Sequence, residues 1–98
     1  MTAPAATILV VDDNASKRVA LRAMLLPLGH EVVEADSGRA ALRAVLRQNF
    51  AVILMDVRMP TMDGYETAKL IRQRGQSELT PIIFFTAYGQ DETETHTA

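Results

Sequence analysis

Apolar residues in this chain fall into short runs that alternate with longer stretches in which they recur every third or fourth position. Three of the runs, Ile8–Val11, Val52–Met55 and Ile82–Phe85, each end at an acid or a hydroxyl, which is typical of strands buried on both faces of a parallel sheet. We predict these strands at residues 7–11, 52–56 and 81–85. A fourth strand is predicted at residues 31–35, where acidic residues interrupt the apolar pattern and favour the edge of a sheet.

The stretch after the first strand has the spacing of an amphipathic helix. Asn14 or Ser16 can cap its start, and the helix is predicted to run to about Leu28, with Gly29 as its C-terminal stop. Pro27 in the last turn is expected to loosen the helix end. Two apolar rows suit a helix covered by the sheet on one side and by a second helix on the other. The rows are Val19, Ala23 and Leu26, and Leu21, Met24, Leu25 and Leu28.

Two further helices are predicted. Ser37 is the expected N-cap of the second and Asp63 that of the third, which is expected to end near Gly75. In the second helix, the residues predicted to face inward are Ala41, Leu42, Val45 and Leu46. In the third helix, they are Ala68 and Ile71. Arginines recur every fourth residue on the outer side of the second helix: Arg39, Arg43 and Arg47. We interpret them as a solvated surface, with a docking face as the alternative.

The resulting order, β-α-β-α-β-α-β, predicts an α/β fold in which helices cover both faces of a doubly wound parallel sheet, with right-handed crossovers. The chain has 98 residues, 48% of them hydrophobic, which is enough for one domain and too few for two. The N-terminal segment at residues 1–6 is expected to be flexible. The polar, threonine-rich tail at residues 91–98 breaks the alternation and is given no packed role.

Composition excludes several classes of function. Ten lysines and arginines against twelve aspartates and glutamates give a formal charge of −2, which does not favour direct binding to nucleic acid or to a membrane surface. The absence of cysteine removes disulfides and thiolate chemistry. No apolar run approaches the ~20 residues that span a bilayer, and no signal-peptide pattern precedes the first strand. We therefore expect a cytoplasmic domain.

Polar residues follow the ends of three predicted strands: Asp12 and Asp13, Asp56, and Thr86. Because the carboxyl ends of parallel strands meet at one edge, these side chains are expected to converge where α/β sheets bind ligands. Three carboxylates in one pocket repel one another unless one is protonated or a divalent cation lies among them, and Mg²⁺ suits oxygen ligands and phosphates. Asp56 is then free to act as a ligand or as a nucleophile toward phosphorus. Thr86 can donate a hydrogen bond to a phosphoryl oxygen.

These motifs resemble those of the receiver domain of two-component response regulators, the phosphate-accepting module of bacterial signalling. The motifs that match the family in order and spacing are Asp12-Asp13, Asp56, Met59-Pro60-Thr61-Met62-Asp63-Gly64 and Thr86-Ala87. The resemblance covers Ile8 to about Tyr88, and it implies a receiver domain at residues 7–90 with a flavodoxin-like sheet. The Asp13-Asn14 pairing and the loop sequence look most like those of receivers attached to hybrid sensor kinases.

The resemblance also implies roles for individual residues. Asp56 would be the phosphoacceptor, and Thr86 would be the switch hydroxyl that turns toward the phosphoryl group. Mg²⁺ would be bound by the side chains of Asp13 and Asp56 and by the backbone carbonyl of Arg58. Asp12 would orient a metal-bound water or serve as a further ligand. The phosphoryl donor would be a histidine kinase or a histidine phosphotransfer protein.

The chain departs from the family pattern after its fourth strand. The family has a fifth strand that ends in a lysine, followed by a last helix, and neither is expected here. Lys17 and Lys69 are the two lysines, and they lie on predicted helices, so the cation that neutralises a phosphoryl oxygen is predicted to be absent. Without these elements the fourth strand becomes a sheet edge and helix one is partly uncovered. We expect a piece of a longer protein or a homodimer formed through the strand-four edge or helix one.

Three functional classes stay open. The leading one is a phosphoacceptor switch. The second is a non-phosphorylated pseudo-receiver scaffold that acts by dimerisation or docking, which the missing lysine favours. The third, a Mg²⁺-dependent phosphohydrolase, needs a general acid–base residue two positions after Asp56, where Arg58 stands instead. We therefore expect that the chain is not an enzyme.

Overall fold

A computed structural model describes residues 6–74, 77 and 79–85. They form a four-stranded parallel sheet in the order β2-β1-β3-β4, with α-helices on both faces. The elements are β1 (Thr7–Val11), α1 (Ala15–Leu25), β2 (Glu31–Ala35), α2 (Gly38–Arg47), β3 (Val52–Asp56), α3 (Gly64–Arg72) and β4 (Ile82–Phe85). The predicted α/β architecture and doubly wound parallel sheet are confirmed, and β2 is the edge strand that its acidic residues predicted.

Side chains of the strands alternate between two hydrophobic clusters, one on each face of the sheet. On one face, Leu9 and Val11 of β1 pack in a buried cluster with residues of α2 and α3, such as Ala41 and Ile71. On the other face, the cluster consists of Ile8, Val10 and Val32, against which Leu21, Leu25, Val52 and Leu54 pack. Both faces of β1 are therefore buried, which explains its unbroken apolar sequence.

Helix α1 begins as predicted and ends three residues early. Of the two candidate caps, Asn14 is the one used: its side chain accepts a hydrogen bond from the backbone N–H of Lys17 at 3.1 Å. The helix gives way to a 3₁₀ turn at Leu26–Leu28, which contains Pro27, because proline cannot continue the α-helical hydrogen bonding. Gly29 closes the turn with a left-handed φ of 91°, as its predicted role as a stop requires.

One apolar side of α1 and of the 3₁₀ turn after it is not covered by any residue in the described part of the chain. Val19 is 60%, Met24 66% and Leu28 69% exposed, whereas Leu21 and Leu25 pack against the sheet. The covering by a second helix that the two apolar rows predicted is thus not found among residues 6–74, 77 and 79–85.

The interior faces of α2 and α3 follow the prediction with one exception. Ala41, Val45, Ala68 and Ile71 are buried, and Ser37 and Asp63 cap the two helices. The prediction that Leu46 faces inward is wrong, since this side chain is 59% exposed. The side of α2 that packs against the core is formed by Ala40, Ala41, Leu42, Ala44 and Val45, and Leu46 lies beyond its border.

Several predictions fall on residues that the structure does not describe. They concern Thr86, the tail at 91–98 and all but the last residue of the segment at 1–6. The third helix, predicted to end near Gly75, ends three residues earlier, at Arg72, with Gln73 as its C-cap. Strand β4 begins at Ile82, one residue later than predicted, and lies at the end of the sheet opposite β2 among the described residues. No helix in the described residues has the length and apolarity needed to span a membrane.

Candidate metal centre

Three carboxyl groups converge at the carboxyl edge of the central strands. Strands β1 and β3 are adjacent and parallel, with Val11 paired to Met55, so the residues that follow this pair, Asp12 and Asp56, emerge side by side. Asp13 completes the group, and one carboxylate oxygen from each residue lies within 4.8 Å of the other two. We call Asp12, Asp13 and Asp56 the acidic cluster.

Asp12 is fully buried and held by several hydrogen bonds. Its Oδ1 accepts from the backbone N–H of Asn14 at 2.9 Å, and its own N–H donates to the carbonyl of Ala35 at 3.1 Å. Its carbonyl accepts a 2.7 Å hydrogen bond from Nη1 of Arg18. The second carboxylate oxygen, Oδ2, is buried without a hydrogen-bond partner in the structure. A buried carboxylate oxygen with no donor is costly, and a cation is the partner that would satisfy it.

Asp56 is 2% exposed, and its environment disfavours the charged form. Burial raises the pKa of the Asp56 carboxyl, and the charge of Asp12 and a hydrogen bond with the Asp12 side chain raise this pKa further. The N–H of Arg58 donates to Asp56 Oδ1 at 3.2 Å and opposes the shift, as does the positive charge of Lys17. The net direction is upward, so the folded protein binds the proton of Asp56 more tightly than an unfolded chain does.

The influence of Lys17 on the acidic cluster does not follow from the sequence pattern, which places this residue on a helix. Its positive charge opposes the upward shift of the Asp56 pKa. The available signal was its position in the first turn of a helix that starts directly after the acidic pair: Asn14 caps this turn and follows Asp13. That placement brings the ammonium group of Lys17 toward the acidic cluster.

The loop after β3 is fixed at both ends. At its start, the N–H of Val57 donates to the carbonyl of Phe85 in β4 at 3.0 Å. At its end, Asp63 and Glu66 form a capping box, in which each side chain accepts from the backbone N–H of the other residue. Within the loop, Thr61 adopts a left-handed φ of 71°. Both ends of the loop that follows Asp56 are therefore anchored by hydrogen bonds.

The donor set of the acidic cluster fits a hard divalent cation. All three donors are carboxylates, two of them are buried, and Asp13 is exposed, so the cluster has an open side. Magnesium uses oxygen ligands and keeps coordination positions for water or phosphate, which an open site with a few carboxylates provides. The predicted ligands Asp12, Asp13 and Asp56 are thus brought together, Arg58 lies beside Asp56, and Thr86 lies outside the described residues.

The sequence model of one protein family matches residues 8–98, and its description is the response regulator receiver domain. The chain belongs to this family. Receiver domains are the modules of two-component systems, and this membership agrees with the acidic cluster at the edge of a doubly wound sheet. The resemblance stated from the motifs is therefore confirmed.

Two of the most similar relatives come from different kinds of signalling protein. The response regulator FleR of Pseudomonas aeruginosa is 44% identical over 85 residues, which are 87% of this chain and 18% of FleR. The sensor protein GacS of Pseudomonas syringae is 39% identical over 92 residues, 90% of this chain and 10% of GacS. The chain spans less than a fifth of the length of these relatives.

Solved receiver structures share the fold. The receiver domain of the sensor histidine kinase PA1611 from Pseudomonas aeruginosa, described with a magnesium ion coordinated in its active-site cleft, is 37% identical and superposes with a TM-score of 0.81 over 93% of this chain and 75% of that one. The chemotaxis protein CheY4 of Vibrio cholerae is 34% identical, with a TM-score of 0.80 over 97% of this chain and 82% of that one. The fold of this chain is therefore CheY-like.

Proposed function

We propose that this receiver domain accepts a phosphoryl group on Asp56, with Mg²⁺ bound by the acidic cluster. The observation that carries the proposal is the convergence of three carboxylates, with one oxygen of each within 4.8 Å of the others. The buried Oδ2 of Asp12, which has no hydrogen-bond partner, supports it. The side chains of Asp13 and Asp56 and the carbonyl of Arg58 would bind the ion. Asp12 would orient an ion-bound water or act as a further ligand.

The raised pKa of Asp56 favours a mechanism in which ion binding activates the nucleophile. The bound ion supplies positive charge that offsets the carboxylates and the incoming phosphoryl oxygens. Asp56 must be deprotonated to attack, and the backbone N–H of Arg58 then holds its Oδ1. A carboxylate oxygen of Asp56 forms a bond to phosphorus, the P–N bond of a phosphohistidine donor breaks, and the electron pair leaves with the imidazole nitrogen. The product is an aspartyl phosphate.

The donor in this proposal is a histidine kinase or a histidine phosphotransfer protein. The relatives of this chain include a response regulator and a sensor protein, and this supports a place in such a phosphorelay. The domain would take up one phosphoryl group per molecule and relay the change to a partner, so it is not proposed as an enzyme. We place it in the cytoplasm without direct contact to nucleic acid or membrane. Thr86 would supply the switch hydroxyl.

A scaffold without phosphorylation is the second candidate, and the exposed apolar side of α1 favours it. Val19, Met24 and Leu28 form part of a surface that no described residue covers. Such a surface suits docking or homodimer formation. Among the described residues, β4 lies at the end of the sheet and carries the exposed side chains of Ile83 and Phe84, so it offers a second contact surface for a dimer.

Beryllium trifluoride, which mimics a phosphoryl group on a carboxylate, separates the two candidates. A phosphoacceptor is expected to bind it only with Mg²⁺, and Asp56→Asn should abolish binding. The Asp63→Asn variant is the matched control, because Asp63 caps α3 and lies outside the acidic cluster. A folded wild-type domain that binds Mg²⁺ but not the mimic would favour the scaffold.

A further inference from the structure

Arg18 lies outside the acidic cluster and contacts its backbone. From α1, its Nη1 donates a 2.7 Å hydrogen bond to the carbonyl of Asp12, and its Nε donates a 3.0 Å hydrogen bond to Oε1 of Glu34 in β2. Arg22, one turn further along the helix, donates to the other oxygen of Glu34, also at 3.0 Å. The Arg18 and Glu34 side chains are partly buried, 16% and 25% exposed, so this ion pair is better shielded from water than a fully exposed pair.

The carbonyl that Arg18 contacts belongs to the peptide group between Asp12 and Asp13. Because a peptide group is planar, the orientation of this carbonyl constrains ψ of Asp12 and φ of Asp13, and so the directions in which the two carboxylates leave the backbone. The N–H of Asp12 is held by the carbonyl of Ala35. Strand β2 contributes no acid to the acidic cluster, but it contacts the backbone of Asp12 in two ways. Ala35 accepts the N–H of Asp12, and Glu34 holds the Arg18 side chain that donates to the carbonyl of Asp12.

We infer that Arg18 is a positioning residue of the metal centre, anchored by Glu34, and that it fixes the Asp12–Asp13 peptide in the orientation that directs both carboxylates at the ion. The inference rests on the proposed function for the identity of the ion. The planar guanidinium donates through two separate nitrogens to two acceptors, whereas a lysine offers a single nitrogen on a flexible stem. The role therefore belongs to arginine and not to positive charge as such.

A purely electrostatic role would change Mg²⁺ affinity in the opposite direction. A guanidinium near carboxylates repels a divalent cation, so the loss of its charge alone would tighten Mg²⁺ binding. Loss of a residue that orients metal ligands weakens binding, commonly by about 10–100-fold. Arg22 is the matched control, because it shares the helix and the Glu34 carboxylate with Arg18 while its hydrogen bond goes to Glu34 alone.

The test measures Mg²⁺ affinity by calorimetry and the backbone amide spectrum of the metal-free protein. Arg18→Met is expected to weaken Mg²⁺ binding by about tenfold or more and to move the amide resonance of Asp13 before metal is added. Arg18→Lys should restore only part of the affinity. Arg22→Met should leave both readouts unchanged. Glu34→Gln, a milder change, should weaken binding in the same direction and replaces Arg18→Met if that variant does not fold.

Unchanged or tighter Mg²⁺ binding in Arg18→Met, or an equal loss in Arg22→Met, would overturn the inference. Failure of the proposed function gives a different result. A wild-type domain that binds Mg²⁺ and accepts no phosphoryl group leaves the role of Arg18 intact. A folded wild-type domain that binds no Mg²⁺ overturns both.

Discussion

Gly64, the first residue of α3, lies directly against the backbone of Asp56. A Cβ atom at residue 64 would overlap the carbonyl oxygen of Asp56 and would stand 3.0 Å from both Cγ of Met55 and Cα of Val57. The N–H of Gly64 also donates to the carbonyl of Val57 at 3.0 Å. The start of α3 and the end of β3 are therefore packed backbone to backbone, and the position of the Asp56 side chain depends on this contact.

We expect Gly64→Ala to weaken Mg²⁺ binding by about tenfold and to lower the free energy of unfolding by about 1–3 kcal/mol, because the added methyl group must push α3 away from β3. Gly38→Ala is the matched control at the first residue of α2. Its Cβ would meet the flexible side chain of Met62 and Oγ1 of Thr67, which is buried and donates to the carbonyl of Asp63, so this variant is also expected to lose stability. Neither contact involves the backbone of β3, so calorimetric Mg²⁺ titration separates the two variants, and thermal melting reports the stability that each one loses. Equal Mg²⁺ affinities in both would contradict this view of Gly64.

Asp56→Asn is expected to stabilise the metal-free protein at neutral pH. Between the ordinary pKa of 3.8 and the raised pKa of Asp56, the folded protein binds more protons than the unfolded chain, so stability falls as pH rises through this window. An amide removes this penalty, and about 1 kcal/mol or more of stabilisation corresponds to a melting temperature roughly 4–8 °C higher. Thermal melting of both proteins in EDTA across the pH range measures this difference. A variant less stable than wild type at pH 7 would show that the buried charge of Asp56 is not the main factor that destabilises the metal-free protein.

Lys17→Met is expected to raise the pKa of Asp56 further in the metal-free protein, because a positive charge that favours the carboxylate is lost. A carboxyl-carbon NMR titration of Asp56 measures this directly. The shift should shrink at high salt, as screening requires. Lys69→Met, in the last turn of α3, is the control variant and should leave the titration unchanged. Identical titrations for wild type and Lys17→Met would rule out this electrostatic link.

Glu34→Gln is expected to cost about 1 kcal/mol of stability at pH 7, since two partly shielded ion pairs are lost. Hydrogen bonding to Arg18, followed by that to Arg22, lowers the pKa of Glu34, so its contribution is present above the unfolded pKa of 4.5 and is lost as pH falls through the lowered folded value. Urea unfolding of both proteins at several pH values measures this. If wild type remains more stable than Glu34→Gln in strong acid, the loss of stability comes from packing and not from the ion pairs.

The sequence predicted the strands and the acidic cluster because both follow from one local pattern. Apolar runs bounded by acids mark where buried strands end, and adjacency of β1 and β3 then brings Asp12 and Asp56 together without further information. The caps Asn14, Ser37 and Asp63 were predictable for the same reason, since an N-cap depends on the residue itself and the next turn.

Features that depend on packing between distant segments were not predictable. Leu46 follows the buried Val45 in an amphipathic helix, and its exposure depends on where the contact between α2 and the core ends. The link from Arg18 to Asp12 and Glu34 depends on how α1 lies across β1 and β2, which periodicity does not specify. The reach of the Lys17 charge depends on the same placement.

The central claim is that Asp56 accepts a phosphoryl group in a Mg²⁺-dependent reaction, and intact-mass measurement after incubation with acetyl phosphate tests it most directly. The account predicts one phosphoryl adduct per molecule that requires Mg²⁺, is released by hydroxylamine as an acyl phosphate should be, and is absent in Asp56→Asn while Asp63→Asn retains it. A folded wild-type protein without an adduct, or an adduct that persists in Asp56→Asn, would contradict the claim.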